Sequence, residues 1–359
     1  MNTQVIDVKN YLWKKIVEKT SHDIYHYPEY FELEAKRTNT TPEAILIGDE
    51  EKFFFVPYLI RTGKDILTET SNNQDFFDII SPYGYPGILV SEAAAADQKF
   101  LDLAIIELKR VLKSQGVCSA FFRLHPIINQ NFPEILPPDL LTFNGETISV
   151  DLTLPEAEIW NHTNPKKRNK INKCKRMGMT ARVVKSHEYL DEFIAVYKET
   201  MERVGALDSY FGFDYGYLLE MQDHFFENMF LCLVEMEGEI ASAGLYTECN
   251  GIVQGVFGGT RNKYYKYSPT SLETDYVRFW AKERGNTYLH LGGGVGGSQD
   301  ELYHFKCCFS KLRHNFYTMR LITDEEKYRY LVDVRAKALN TQPEALLNSN
   351  FFPAYRCPN

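Results

Sequence analysis

One order of elements occurs twice in this chain, and no other feature constrains its fold as tightly. In the first half, residues 44–48 and 53–61 read as two strands around a turn at Glu50-Glu51, followed by a strand over 76–82. A helix over 97–115 comes next, with Phe100, Leu101, Ala104, Ile105, Leu108, Val111 and Leu112 on one face. Gly116 stops it, and a strand over 117–124 ends at His125-Pro126. In the second half, 229–236 and 240–247 flank a Glu237-Gly238 turn, and a strand over 252–258 leads to a helix over 270–283. Gly285 stops that helix, and a strand over 288–291 ends just after His290. The copies lie about 165 residues apart. Recurrence of one order at one offset predicts two copies of an α+β unit, each a mixed sheet flanked by helices. The expected division is a domain over 1–150 and a second over 151–359, which suits the chain length.

Between and around the copies, helical spacing appears over 8–18, 27–37, 187–204, 214–228 and 324–339. A strand over 147–152 precedes one helical stretch from 155 to about 178. The longest nearly pure apolar run, 53–60, is far short of the ~20 residues that span a bilayer. The first fifteen residues show no apolar core behind a basic start, so no secretory leader is expected. Seven cysteines without a CxxC pair read as reduced thiols. A soluble, cytoplasmic protein is the expectation. The net charge of −8 argues against a general nucleic-acid coat and against a DNA partner, so any RNA contact must be local.

Positive charge is concentrated in one place. Seven of the eleven residues over 166–176 are Lys or Arg, with no acid among them. Ile171, Cys174 and Met177 form a narrow apolar stripe, and Lys166, Arg168, Lys170 and Lys173 fan around the rest. Such a helix is either a solvated face or a phosphate contact, since a bound polyanion would relieve its self-repulsion. Lys166, Lys167 and Arg168 at its start are candidate contacts.

Downstream, LGGGVGG over 291–297 contains a GxGxxG spacing, but it sits in the last third with little parallel structure after it. A dinucleotide site is therefore not expected; a close backbone approach or a cleft wall is. Lys306 follows in an apolar setting between Phe305 and Phe309. It either snorkels to water or is partly desolvated and placed to stabilise an oxyanion. Adjacent Cys307 and Cys308 with His304 make poor co-ligands, so no metal site is expected. His125 and His290 read as strand-end histidines that satisfy backbone groups, and Arg203 as helix C-terminal charge.

These segments together resemble the FemABX family of non-ribosomal peptidyltransferases and their relatives with the GNAT acyltransferase fold. The carriers are SPYGYPG (81–87), RLHP (123–126), RNKINKCKRMG (168–178), TMERVGA with Tyr210 (200–210), FGGT (257–260) and HLGGG…DELYHFKCCF (290–309). The resemblance covers residues 25–320 and implies tandem GNAT-like domains. It also implies transfer of an amino acid from aminoacyl-tRNA to an amine of a peptidoglycan or other cell-envelope precursor. By resemblance Lys306 stabilises the transition state, Arg203 and Tyr210 grip the acceptor, and Tyr83 is a further acceptor contact. No permanently bound cofactor is implied; the acyl donor is a co-substrate, aminoacyl-tRNA or acyl-CoA. No general base stands out, although Asp300 is close in sequence. Two departures matter: no long heptad run for a coiled-coil arm lies between 205 and 230, and 260–273 lacks the glycine loop that holds a CoA pyrophosphate. An N-acyltransferase using acyl-CoA or acyl-carrier protein on an amino sugar is the alternative expectation. A non-catalytic RNA- or phosphate-binding relative is the third.

Overall fold

The computed structural model describes residues 1–63, 76–205 and 213–358. Two compact units emerge: residues Met1–Phe143 with Phe316–Asn359, and residues Asn144–Asn315. This differs from the 150/151 division expected from sequence, because the last stretch of chain packs with the first unit rather than the second.

The strands are β1 (Thr3–Asp7), β2 (Thr41–Gly48), β3 (Phe53–Thr62), β4 (Phe77–Ile80), β5 (Leu89–Val90), β6 (Val117–Arg123), β7 (Leu141–Asp151), β8 (Thr180–Lys185), β9 (Met229–Met236), β10 (Glu239–Cys249), β11 (Ile252–Thr260), β12 (Tyr288–Gly292) and β13 (Arg313–Ile322). The first unit orders them β1-β2-β3-β4-β6-β13, with β5 on β3. β2 and β3 form the expected hairpin, but Asp49 shapes its turn: its carboxylate accepts from the backbone N–H of Glu51 and Lys52 at 2.9 Å each. β3 is nearly all apolar from Phe53 to Ile60 because both faces of that stretch are covered. Phe54 and Val56 join the core beneath the helix Gln98–Ser114, while Phe53 and Phe55 pack with Trp13, Ile16 and Phe31.

β4 and β6 run parallel, with the helix Gln98–Ser114 as their crossover. Asp97 caps that helix by accepting from Phe100 N–H at 3.0 Å, and Gly116 ends it with φ +75°. The C-terminal helix Glu325–Ala338 sets Tyr328, Leu331, Val332 and Ala336 on Phe76 and Cys118. The chain end is fastened to a buried carboxylate. Asp78 accepts from Arg61 Nε at 2.7 Å, from Tyr355 Oη at 3.2 Å and from Arg356 Nε. A carboxylate buried this deeply needs such partners, and two come from the last residues of the protein.

The second unit orders its strands β7-β12-β11-β10-β9-β8. It repeats the first unit's plan: the β9–β10 hairpin, then β11 and β12 parallel around the crossover helix Thr270–Glu283. The hairpin turn Glu237-Gly238 has φ of +54° and +81°, the mirror-image turn that matches strand twist. Asn250-Gly251 makes a second such turn between β10 and β11. Both units are thus α+β, mixed sheets flanked by helices, as the repeat implies.

Two local readings are corrected. The helical stretch expected over 155–178 is two helices, Glu156–His162 and Pro165–Arg176, because Pro165 can begin a helix but not continue one. β8 occupies 180–185, where no strand was expected; every residue after its first is only half-buried, so it shows little periodic signal. Among the described residues, no helix is long and apolar enough to cross a membrane.

Candidate active site

The second unit builds the site at the end of β12. Gly292 leaves the strand with φ +74°, and the chain then makes a compact turn to Asp300. Asp300 organises that turn: one carboxylate oxygen accepts from Val295 N–H at 2.9 Å, the other from Tyr303 N–H at 2.8 Å. The second contact caps the helix Glu301–Cys307. The glycines serve close approach, as their run suggests. A Cβ on Gly297 would overlap the Asn144 carbonyl, and one on Gly145 would overlap the Gly297 carbonyl. The turn therefore lies directly on the backbone of β7.

Lys306 points back toward this turn. Its ammonium donates to the Gly293 carbonyl at 2.6 Å, and desolvation pushes its pKa down to about 8 against the opposing pull of Asp300. Of the two placements open from sequence, the inward one is observed. The group is largely protonated at neutral pH, poorly solvated and fixed in direction. Those are the properties of a donor that can meet a developing negative charge.

The basic helix begins beside it. Asn164 caps the helix by accepting from Lys166 N–H at 2.9 Å, and its own N–H donates to the Cys308 carbonyl at 2.8 Å. The three candidate cations diverge. Lys166 is exposed, and Arg168 donates to Asn161 Oδ1 at 3.3 Å beside Trp160. Lys167 is only 6% exposed; its ammonium lies 3.8 Å from the centroid of Phe305 and 3.5 Å from Ser271 Oγ. Desolvation pushes its pKa down to about 8 as well. Lys167 therefore faces the helix that carries Lys306. Further along, Lys175 pairs with Asp275 at 3.0 Å, while Lys170, Lys173 and Arg176 are exposed.

Arg203 is held internally. Its Nη1 donates to the Thr260 carbonyl at 2.8 Å and to Asn262 Oδ1 at 2.5 Å, and its Nη2 to Thr200 Oγ1 at 3.2 Å. Thr200 Oγ1 accepts from Thr260 N–H at 2.8 Å, and a Cβ on Gly259 would lie 2.7 Å from the Val196 carbonyl oxygen. The TMER and FGGT segments thus lock the helix Leu190–Val204 onto β11. Tyr210 lies outside the described residues. Tyr83 belongs to the first unit, where its N–H donates to Glu34 at 2.8 Å and its carbonyl accepts from Tyr30 Oη at 3.0 Å. Glu34 is in turn gripped by both arms of Arg37.

The strand-end histidines are each bonded within their own unit. His125 accepts from Ile127 and Ile128 N–H on Nδ1, which leaves Nε2–H to donate to Asp23 at 3.2 Å. His290 Nδ1 meets Gln254 Oε1 at 2.5 Å.

Three features were not anticipated. Tyr303 donates to Glu146 at 2.5 Å, joining the helix of Lys306 to β7. The inward turn of Lys167 is the second, and it has a sequence signal: Lys167, Ile171 and Cys174 are spaced i, i+4, i+7, and all three are buried. The third is Glu273, fully buried and bonded by Tyr246 Oη at 3.0 Å, with burial pushing its pKa up to about 8. Its carboxyl occupies the space a side chain on Gly244 would need.

Residues 163–306 match a family model described as an acetyltransferase (GNAT) domain. The second unit thus contains a GNAT-type domain by its match in sequence. Among solved structures the chain is similar to FemX, at a TM-score of 0.68 and 14% identity, covering 92% of this chain and 99% of that one. It is also similar to the C-terminal domain of a lysylphosphatidylglycerol synthetase from Agrobacterium fabrum, at a TM-score of 0.52 and 13% identity over 87% of this chain and 91% of that one. L-PGS from Bacillus licheniformis gives a TM-score of 0.51 at 14% identity, covering 86% and 90%. No curated protein matches the chain in sequence. The α+β, GNAT-like fold expected from the sequence is the one observed, and it is shared with FemX.

Proposed function

We propose that this chain is an acyl- or aminoacyltransferase that forms an amide on an amine of a cell-envelope precursor, in the cytoplasm. The observation that carries the reading is the Lys306 ammonium, desolvated and held 2.6 Å from the Gly293 carbonyl at the end of a glycine-rich strand. In the reaction, a neutral amine attacks the carbonyl carbon of an activated ester or thioester. The carbonyl electrons move onto oxygen, and Lys306 donates a hydrogen bond to that oxyanion. Collapse restores the carbonyl and breaks the bond to the donor's oxygen or sulfur, which takes up the proton given up by the attacking amine and leaves as alcohol or thiol. The exposed cations of the basic helix would face donor or acceptor phosphates, and Arg203, Tyr210 and Tyr83 are the further candidate contacts by resemblance.

Aminoacyl-tRNA is the favoured donor. Where a CoA pyrophosphate would need free backbone donors, the N–H groups of Ser271, Leu272 and Glu273 are turned onto the carbonyls of Ser268 and Pro269. The description of the matched domain as an acetyltransferase favours the second reading, an acyl-CoA or acyl-carrier-protein enzyme acting on an amino sugar.

Thermal shift with charged tRNA and with coenzyme A, at two salt concentrations, separates them. A ligand at ~100 times its Kd adds about 2.7 kcal/mol. Stabilisation by charged tRNA that fades with salt supports the first reading, and stabilisation by coenzyme A alone supports the second. Lys306→Ala is expected to lower turnover by ~10²–10³-fold with the melting temperature retained. Full turnover in that variant would remove the oxyanion role from Lys306, whereas no turnover in wild type with either donor would favour the non-catalytic, phosphate-binding alternative for the basic helix.

A further inference from the structure

The helix Glu301–Cys307 has only seven residues, well under the length at which a helix holds itself in water. Its direction, and with it the direction of Lys306, must come from contacts with other elements. Asp300 fixes the first turn, and Asn164 reaches the carbonyl of Cys308 just past the last. Between them stands one side-chain bond to another strand, from Tyr303 Oη to a carboxylate oxygen of Glu146 at 2.5 Å. Tyr303 is 6% exposed and belongs to the core of the second unit. It precedes Lys306 by three residues, so the two side chains leave neighbouring positions on the helix. Glu146 also touches the other end of the lysine's contact: a Cβ on Gly293 would lie 2.8 Å from the Glu146 carbonyl oxygen. One residue of β7 thus braces both the helix that carries Lys306 and the glycine whose carbonyl receives it.

We propose that Glu146 is a positioning residue of the site: through Tyr303 it fixes the helix that carries Lys306, and its backbone fixes Gly293, the lysine's partner. The inference rests on the functional reading of Lys306, but its first test needs no substrate. The charged and titratable groups around the lysine are Asp300 in the turn, Tyr303 and Cys307 on its own helix, Lys167 against Phe305, and Glu146 on β7. Glu146→Ala alters only the last of these, whereas Tyr303→Phe also removes the tyrosine hydroxyl that interacts with Cys307.

The reactivity of Lys306 toward a small acylating reagent is measured as a function of pH by peptide mass spectrometry. Wild type is expected to show a midpoint near 8. In Glu146→Ala and Tyr303→Phe the midpoint is expected to rise by a unit or more toward an ordinary lysine. Glu146→Gln keeps an acceptor for the Tyr303 hydroxyl and should stay near wild type. Two variants guard against a failure to fold, since Tyr303→Phe keeps the ring in the core. A midpoint that stays near 8 in a folded Ala or Phe variant overturns the proposal. So does an equal rise in Glu146→Gln, because that variant keeps an acceptor for the Tyr303 hydroxyl and the bond would then not be what holds the helix. In a transfer assay, the Ala and Phe variants should lose ~10-fold or more in kcat with KM within about twofold. If wild type transfers nothing, the functional reading fails while the labelling result still decides the role of Glu146.

Discussion

At the scale of single residues, three consecutive cations start the basic helix and meet three different fates. Lys166 is exposed, Arg168 leans on Trp160, and Lys167 is turned inward with a ring face and a hydroxyl as its partners. Its folded pKa of about 8 lies below the ordinary 10.5, with burial as the main cause. A lowered lysine pKa means the folded state disfavours the charged form, so the destabilisation is full below pH 8 and gone above about 10.5. Lys167→Met is therefore expected to raise the melting temperature at pH 6–7, by a margin that shrinks as pH climbs past 8. A lower melting temperature at pH 6 would show that the contact with Phe305 outweighs desolvation. The placement was legible in the spacing of Lys167, Ile171 and Cys174, yet a count of charges hides it. The bond from Tyr303 to Glu146 was not legible, since 157 residues separate the partners and each looks ordinary in its own segment.

At the scale of elements, the twofold order of hairpin, strand, helix and strand was readable because its signals are local. Gly116, Gly238 and Gly285 all adopt positive φ where turns or helix stops were expected, and the helix Gln98–Ser114 shows a plain apolar face. What defeats a local reading is an edge strand such as β8, or a helix whose buried face carries charge. The helix Thr270–Glu283 is of the second kind, burying Glu273, Asp275 and Arg278. Arg278 pairs with Asp275 and donates to Thr163 Oγ1 at 2.6 Å, whereas Glu273 is bonded by Tyr246, and among the described residues its second carboxyl oxygen has no hydrogen-bond partner. Its raised pKa means stability is greatest below about 4.5 and falls as pH rises through about 8. Glu273→Gln should flatten that decline in urea unfolding between pH 5 and 9. An unchanged slope would place the pH dependence elsewhere.

At the scale of the whole molecule, the second unit is an insertion between two parts of the first. The sequence reading closed the first domain at residue 150 because everything needed for one repeat precedes that point. The tail helix was recognised, but its partner was not, because nothing local links Asp78 to Tyr355 and Arg356. A chain ending at residue 340 would strip two of three partners from that buried carboxylate and remove the Tyr355 ring from against Phe76. Removing the partners of a buried charge costs about 3–5 kcal/mol, so such a chain should lose at least that much in urea unfolding of the first unit. An unchanged midpoint would mean the tail is dispensable.

This arrangement also fixes an order of events during synthesis. The inserted unit is complete as soon as residue 315 has been added, whereas the unit that begins at the N-terminus waits for residues 355 and 356. The first part made is thus the last part finished. A premature stop between residues 315 and 355 would therefore damage the unit that contains residues 1–143 while leaving the unit that carries Lys306 whole.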